Sequence, residues 1–307
     1  DVVLTGDIDN GSSLMVTDNY GSYVSYDVSY AEGLGKYMAE KGILQEIAEK
    51  TEERIQVQKR ELSPDRMKKE ALEKAEADIE AGKETFAFTK ALKKPGVSFI
   101  CEVKKASPSK GVLAEQFPYV QIAREYEAAG ADAVSVLTEP FYFLGKDTYL
   151  QEIRKEVGIP LLRKDFTVEE YMIYQAKVLG ADAVLLICSI LSPMQLSEYL
   201  GIADSLGLSA LVEAHTEAEI EMVLSAKAGI IGVNNRNLGN FTVDIQNSGR
   251  LRKKVPENVL FVSESGMKTR EDIEVLEKNG TNAVLIGETL MRSPDKRKML
   301  QTLRGME

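Results

Sequence analysis

Glu102 and Lys104 stand two residues apart at the end of the apolar run Ser98–Lys104. On a β-strand that spacing turns both to one face, while Cys101 and Val103 take the other. Opposite charges on the inward face of a buried strand are costly without partners or a task. Ser107, Pro108, Ser109, Lys110 and Gly111 follow at once, giving hydroxyl donors, a cation and a turn. The set suits an enzyme that handles a phosphorylated small molecule. A structural ion pair ahead of an ordinary turn is the plainer alternative. Charged and amide groups recur where later apolar runs end: Lys164 and Asp165, Glu213, Asn234 with Arg236, and Glu264 with Ser265. Ser265-Gly266 and Gly287-Glu288 each open a helical segment, where glycine admits backbone N–H groups and a helix N-terminus favours an anion.

Something must hold these groups at one place. From Ser98 onward the chain alternates between short apolar runs and amphipathic helical patterns. The runs are Ser98–Lys104, Ala133–Thr138, Pro160–Phe166, Ala183–Ile190, Ser209–His215, Gly229–Asn235, Val259–Glu264 and Ala283–Gly287. They are continuous rather than alternating, as parallel strands covered on both faces are. Helical patterns such as Tyr119–Ala129, Val168–Leu179, Pro193–Leu206, Glu217–Ala226 and Thr269–Asn279 lie between them. Thr167 and Thr216 read as helix starts, and Gly180, Gly207 and Gly280 as stops. This rhythm predicts an α/β fold, a (β/α)8 TIM barrel, whose chemistry sits at the C-terminal ends of the strands. A doubly wound open sheet is the alternative, but eight consecutive βα units fit closure better. On the barrel reading the charged groups above share one rim, and the loops after strands seven and eight are the fold's common phosphate position.

Composition removes other classes. The 307 residues carry a net charge of −10, which argues against a nucleic-acid footprint. No run approaches the roughly 18 apolar residues of a membrane span, and the first residues lack a secretory signal pattern. Cys101 and Cys188 sit in apolar runs without metal-ligand spacing, as buried reduced thiols of a cytoplasmic protein would. The single histidine, His215, excludes a site built on several imidazoles and reads as a rim residue.

The motifs TFAFTKAL, ICEVKKASPSKG, SVLTEPFYFLG, LLRKDF, LVEAHT, GVNNRNL, SESGM and LIGETLM, in that order, make residues from about Ile43 to Leu303 resemble indole-3-glycerol phosphate synthase. Lys146 departs from the pattern, since the family commonly has Ser there. The resemblance implies ring closure of 1-(2-carboxyphenylamino)-1-deoxyribulose 5-phosphate with loss of carbon dioxide and water. It implies Lys164 as general acid, Glu213 and Lys104 in the dehydration, and Glu102 balancing the lysines. Asn234, Arg236, Glu264, Ser265 and Phe143 would line the substrate. Ser107, Gly266, Gly287 and the amide of Glu288 would take its phosphate. No cofactor or metal is implied, and the absence of a His/Cys cluster agrees.

Residues 43–95 read as helices belonging to the barrel domain, 43–307. The resemblance makes them cover part of the mouth, while a solvated hairpin without a role is the alternative. Residues 1–42, rich in Tyr, Ser, Gly and Asp, have no recognised counterpart in the family; short strand-like pieces such as Ser22–Tyr30 are one reading, but disorder or loose docking is expected. The chain opens on Asp1, as a piece of a longer reading frame or added sequence would. Two other functions stay open at this point: another phosphosugar barrel such as phosphoribosylanthranilate isomerase, which has no need of Lys164 with Lys104, and a barrel that only binds phosphorylated ligands. The oligomeric state is left open.

Overall fold

The computed structural model describes residues 42–306 except 238–240, together with two short strands nearer the start. The chain divides into two units, Asp1–Glu46 and Ile47–Glu307. In the first, β1 (Ser13–Thr17) pairs antiparallel with β2 (Tyr23–Asp27). The rest of 1–41, expected to be poorly ordered, lies outside the described residues.

In the second unit, eight parallel strands close on themselves. They are β3 (Ser98–Val103), β6 (Ala133–Leu137), β7 (Leu161–Lys164), β8 (Ala183–Ile187), β9 (Ser209–Ala214), β10 (Ile230–Asn234), β11 (Leu260–Glu264) and β12 (Ala283–Ile286). Their order round the ring is the chain order, with β12 pairing back onto β3. The (β/α)8 expectation holds. A small hairpin, β4 (Ala106–Ser107) and β5 (Gly111–Val112), sits in the loop after β3. The outer helices after it are α4 (Tyr119–Ala128), α5 (Asp147–Arg154), α6 (Glu170–Leu179), α7 (Pro193–Ser205), α8 (Glu217–Ser225), α9 (Gln246–Arg252), α10 (Arg270–Lys278), α11 (Glu288–Arg292) and α12 (Lys296–Arg304). Outward strand residues such as Phe99, Cys101, Val134, Val212, Ile231 and Phe261 pack under these helices. That leaves the other face of each strand for the barrel interior.

Most helix ends match their sequence signals. Thr216 caps α8 and Thr269 caps α10, each in a reciprocal box with the residue three further on. Thr167 does not cap α6. The helix starts at Glu170, and the carboxylate of Glu169 is taken by Gln56 and Lys59 from another helix.

That other helix is α1 (Gly42–Glu61), followed by α2 (Pro64–Glu80) and α3 (Ala87–Leu92). Met67, Ala71 and Ala75, four apart along α2, are buried against α6. Covered by α2 outside and by the barrel inside, α6 is buried nearly all round. Ile55 of α1 and Phe88 of α3 are fully buried, so this is not a solvated hairpin. Arg54 of α1 donates to both oxygens of Asp165, at 2.9 and 3.0 Å, just past the end of β7. Thr138 donates to the same carboxylate at 2.6 Å, and Arg163 binds Thr138, Asp147 and Gln175.

Two stability changes are expected. Asp165 is 1% exposed, so Arg54→Met leaves a buried carboxylate short of its main partner and should cost about 3 kcal/mol in urea unfolding. Lys146 occupies the N-cap of α5 in an extended conformation with no side-chain cap bond. Lys146→Ser should supply that bond and add about 1 kcal/mol, read as a melting point about 2 °C higher.

Candidate active site

Interior side chains at the C-terminal ends of the strands meet in two linked clusters. Lys164, the last residue of β7, sends its ammonium between two carboxylates. It lies 2.6 Å from Oε2 of Glu264 on β11 and 3.0 Å from Oε2 of Glu213 on β9. Asn234, closing β10 between those two strands, donates from Nδ2 to Oε1 of Glu213 at 3.3 Å. The second cluster is Lys104, just past β3, whose Nζ is 2.5 Å from Oε2 of Glu102. Glu102, Glu213 and Glu264 are each under 4% exposed.

Two positions without side chains make this crowding possible. A Cβ on Gly232 of β10 would stand 2.3 Å from Oε1 of Glu264. A Cβ on Gly287 would stand 2.3 Å from Oε2 of Glu102 and 2.9 Å from Nζ of Lys104. Gly287 thus serves the charged cluster, besides the phosphate position expected of it. Gly232 was not singled out in the sequence, although it stands in the GVNNRNL motif; its alternation with Asn234 on an inward face was the available signal.

The charges shape one another. Burial pulls the Lys164 ammonium down, but Glu213, Glu264 and Glu102 outweigh it and hold its pKa well above the ordinary lysine value. Burial pushes the Glu213 carboxyl up, yet Lys164 and His215 turn the balance and leave it depressed. Glu264 shares the same lysine without a cation of its own. Burial and repulsion from Glu213 and Glu102 exceed the pull of Lys164, and its pKa is raised. Two carboxylates on one ammonium therefore separate into a firmly ionised partner and one that holds a proton more readily.

The remaining expected residues surround these clusters. Ser107 is buried in the β4–β5 hairpin, Ser265-Gly266 follow β11, and Gly287-Glu288 follow β12. Since β11, β12 and β3 are consecutive in the ring, these loops are neighbours at one rim. Ser265 takes φ +67° and Gly266 φ +95°, two left-handed residues in succession. A Cβ at Gly266 would also press within 2.7 Å of Val243. Arg236 pairs with Glu288 at 3.3 Å rather than with the buried glutamates, tying the β10 loop to the start of α11. Phe143, in the loop after β6, faces Phe166 with ring centroids 6.1 Å apart. Glu139, also not singled out, is fully buried and accepts from the N–H groups of Phe141, Tyr142 and Phe143 at 2.7 to 2.9 Å, which sets that loop. Among the described residues, no group of three or more His, Cys, Asp or Glu could hold a metal ion.

Residues 44–303 match the family model described as Indole-3-glycerol phosphate synthase. The chain belongs to the indole-3-glycerol phosphate synthase family. Synthases of that name from Ruminiclostridium cellulolyticum and Lachnoclostridium phytofermentans are 54% and 52% identical to it, over 86% of this chain and 99% of each relative. The synthase from Endomicrobium trichonymphae is 53% identical over 85% of this chain and 99% of its own length. Among solved structures, a 3-hexulose-6-phosphate synthase aligns with a TM-score of 0.55 at 14% identity, covering 68% of this chain and 99% of that one. A thiamine phosphate pyrophosphorylase from Pyrococcus furiosus gives 0.52 at 15%, covering 68% and 94%. These two likenesses show the barrel and nothing of the synthase chemistry.

Gly232→Ala tests the crowding. The added methyl must push Glu264 off its place beside Lys164, so kcat should fall at least tenfold while circular dichroism stays that of the parent. Unchanged kcat would show that Glu264 has room to move without consequence.

Proposed function

We propose that Lys164, Glu213 and Lys104 divide between them the proton transfers that turn 1-(2-carboxyphenylamino)-1-deoxyribulose 5-phosphate into indole-3-glycerol phosphate. The carrying observation is the single ammonium of Lys164, buried between Glu213 and Glu264 at a barrel rim. As the arene carbon attacks the ketone, Lys164 gives a proton to the carbonyl oxygen. Carbon dioxide then leaves and the ring regains aromaticity. In the dehydration, Lys104 protonates the departing hydroxyl, which leaves as water, and Glu213 takes the proton released from the new ring. The reaction has no net oxidation.

The electrostatics link the two stages. Held by two carboxylates, Lys164 is a weak acid at rest, so the substrate's ketone must come between the ammonium and its partners before the proton moves. Once the proton has gone, Glu213 loses the cation that most depresses its pKa and becomes a better base for the second stage. Glu102 balances Lys104 beside Gly287. Glu264 and Asn234 hold the first cluster in register with the substrate. Ser107, Gly266, Gly287 and the amide of Glu288 receive the phosphate, with Arg236 fixing Glu288 and with Ser265 and Phe143 beside the ligand. The adjacency of their loops on β3, β11 and β12 supports this placement. The cytoplasm is the proposed compartment, supported by Cys101 and Cys188, both buried and unpaired. No helix among the described residues is long and apolar enough to cross a membrane.

Loss of the two groups should differ in kind. Lys164→Ala should lower ring closure by about 10² or more with substrate still bound through its phosphate, because Asp165 beside it faces Arg54. Glu213→Gln should let a ring-closed species form and dehydrate slowly. The chain has no Trp, so indole emission in single turnover has no protein tryptophan behind it. Near-normal turnover by Lys164→Ala would move the acid elsewhere, with Lys104 the first alternative.

A further inference from the structure

His215, two residues beyond Glu213, is 19% exposed at its side chain and sits between two carboxylates. Its Nε2 lies 3.3 Å from Oε1 of Glu213, and its Nδ1 lies 3.7 Å from Oε2 of Glu219 on α8. At 3.3 Å the Nε2 contact with Glu213 is poorly aligned, a charge pairing with a weak hydrogen bond rather than a well-formed one. Glu219 is itself fixed, accepting from the backbone N–H groups of His215 and Thr216 in the box that starts α8. The result is a row of alternating charge through the rim: Glu264, Lys164, Glu213, His215, Glu219.

The row answers a deficit. Glu102, Glu213 and Glu264 are three buried carboxylates against the two ammoniums of Lys104 and Lys164. Glu219, also buried, brings the carboxylates to four and a charged His215 brings the cations to three, so the deficit stays at one instead of growing to two. The deficit grows during the reaction, because Lys164 becomes neutral when it protonates the ketone. At that moment Glu213 has no ammonium beside it, and in an apolar interior it would draw a proton before the substrate offered one.

We infer that His215 is a positioning residue for Glu213: as an imidazolium set between Glu213 and Glu219, it keeps Glu213 an ionised base after Lys164 has given up its proton. The role rests on Glu213 being the base of the dehydration. The groups acting on the imidazole agree with it. Burial pulls its pKa down, but Glu213 on β9 and Glu219 on α8 outweigh burial and push it up to about 10. Lys164 on β7 stands on the far side of Glu213, and Asn234 on β10 is neutral. Cys188, in the turn after β8, feels the same two carboxylates, and burial keeps its thiol un-ionised. Asn247 of α9, also neutral, donates to the backbone oxygen of His215 at 3.5 Å.

Because His215 is the sole histidine, one proton resonance in a pH titration of the full chain reports on it alone. The ring C–H signal should titrate far above the ordinary histidine range, near pH 10, and should move down by about a unit or more in Glu213→Gln. A parent signal titrating at or below the ordinary value overturns the inference. In single turnover, His215→Asn should leave substrate affinity unchanged and slow dehydration increasingly as pH falls, because Glu213 without the imidazolium takes up its proton at a higher pH. The acid limb of the dehydration rate should shift upward, and His215→Lys should restore it. An unshifted limb in His215→Asn, or no restoration by lysine, also overturns it. The sign for stability is fixed too. A folded pKa near 10 against an ordinary 6.5 gives stability fully present below pH 6.5 and lost as pH rises through 10. The melting points of parent and His215→Asn should therefore converge over that window. The titration involves no turnover. If Glu213→Gln dehydrates normally while the resonance behaves as stated, the assignment of the base has failed and the placement of the imidazolium stands.

Discussion

Three carboxylates are buried at one end of a closed ring of strands with two ammoniums to neutralise them. Each ion taken out of water forfeits several kcal/mol of solvation, which is recovered only at short range and in fixed geometry. That requirement accounts for the local design of the rim. It places Lys164 where two strands can each present a carboxylate. It removes the Cβ at Gly232 and Gly287, because the oxygens of Glu264 and Glu102 fill the space a methyl would need. It also explains why the scaffold is a barrel. A closed sheet has no edge along which strands could slide, so the register that pairs Asn234 with Glu264, and Glu213 with both Gly232 and Ile187, cannot drift.

β7 shows how one strand serves both faces. Lys164 points in, and its neighbours Arg163 and Asp165 point out into a polar network reaching Thr138, Asp147, Gln175 and Arg54 of α1. The residues flanking Lys164, the proposed acid, are thus held from outside the barrel, and part of that hold comes from a helix that precedes the first barrel strand. Helices α1 and α2 cover α6 and the loop before it, with Glu169 bound by Gln56 and Lys59, while α3 packs at the start of β9, where Thr89 bonds Ser209. In this way a packing extension holds the strand end that carries Lys164.

The barrel was legible because parallel strands covered on both faces need unbroken apolar runs, and the runs ended in charge where water or ligand is met. The inward pair Glu102 and Lys104 followed from period two alone, and the structure places them 2.5 Å apart. What stayed hidden depends on contacts distant in sequence. Gly232 is one more small residue in an apolar run until Glu264, on the neighbouring strand, needs its space. Thr167 carried a helix-start signal, but the end of that loop is set by α1 more than a hundred residues earlier. Arg236 could have served ligand or glutamates by spacing, and only the fold brings it to Glu288. His215 read as a rim residue because neither its burial nor the approach of Glu219 is written in the run that contains it.

A (β/α)8 ring is common to many chemistries, so what this chain does is decided by side chains at the strand tips. Here those tips hold an excess of buried carboxylate, and that excess bears directly on the order of events. On the proposed roles, a lysine held by two carboxylates releases its proton only when substrate intervenes, and the release then changes the basicity of the neighbour proposed to act next. The proposed sequence of proton transfers is in this sense a property of the resting charge arrangement, set before substrate arrives and held by the rigidity of the ring.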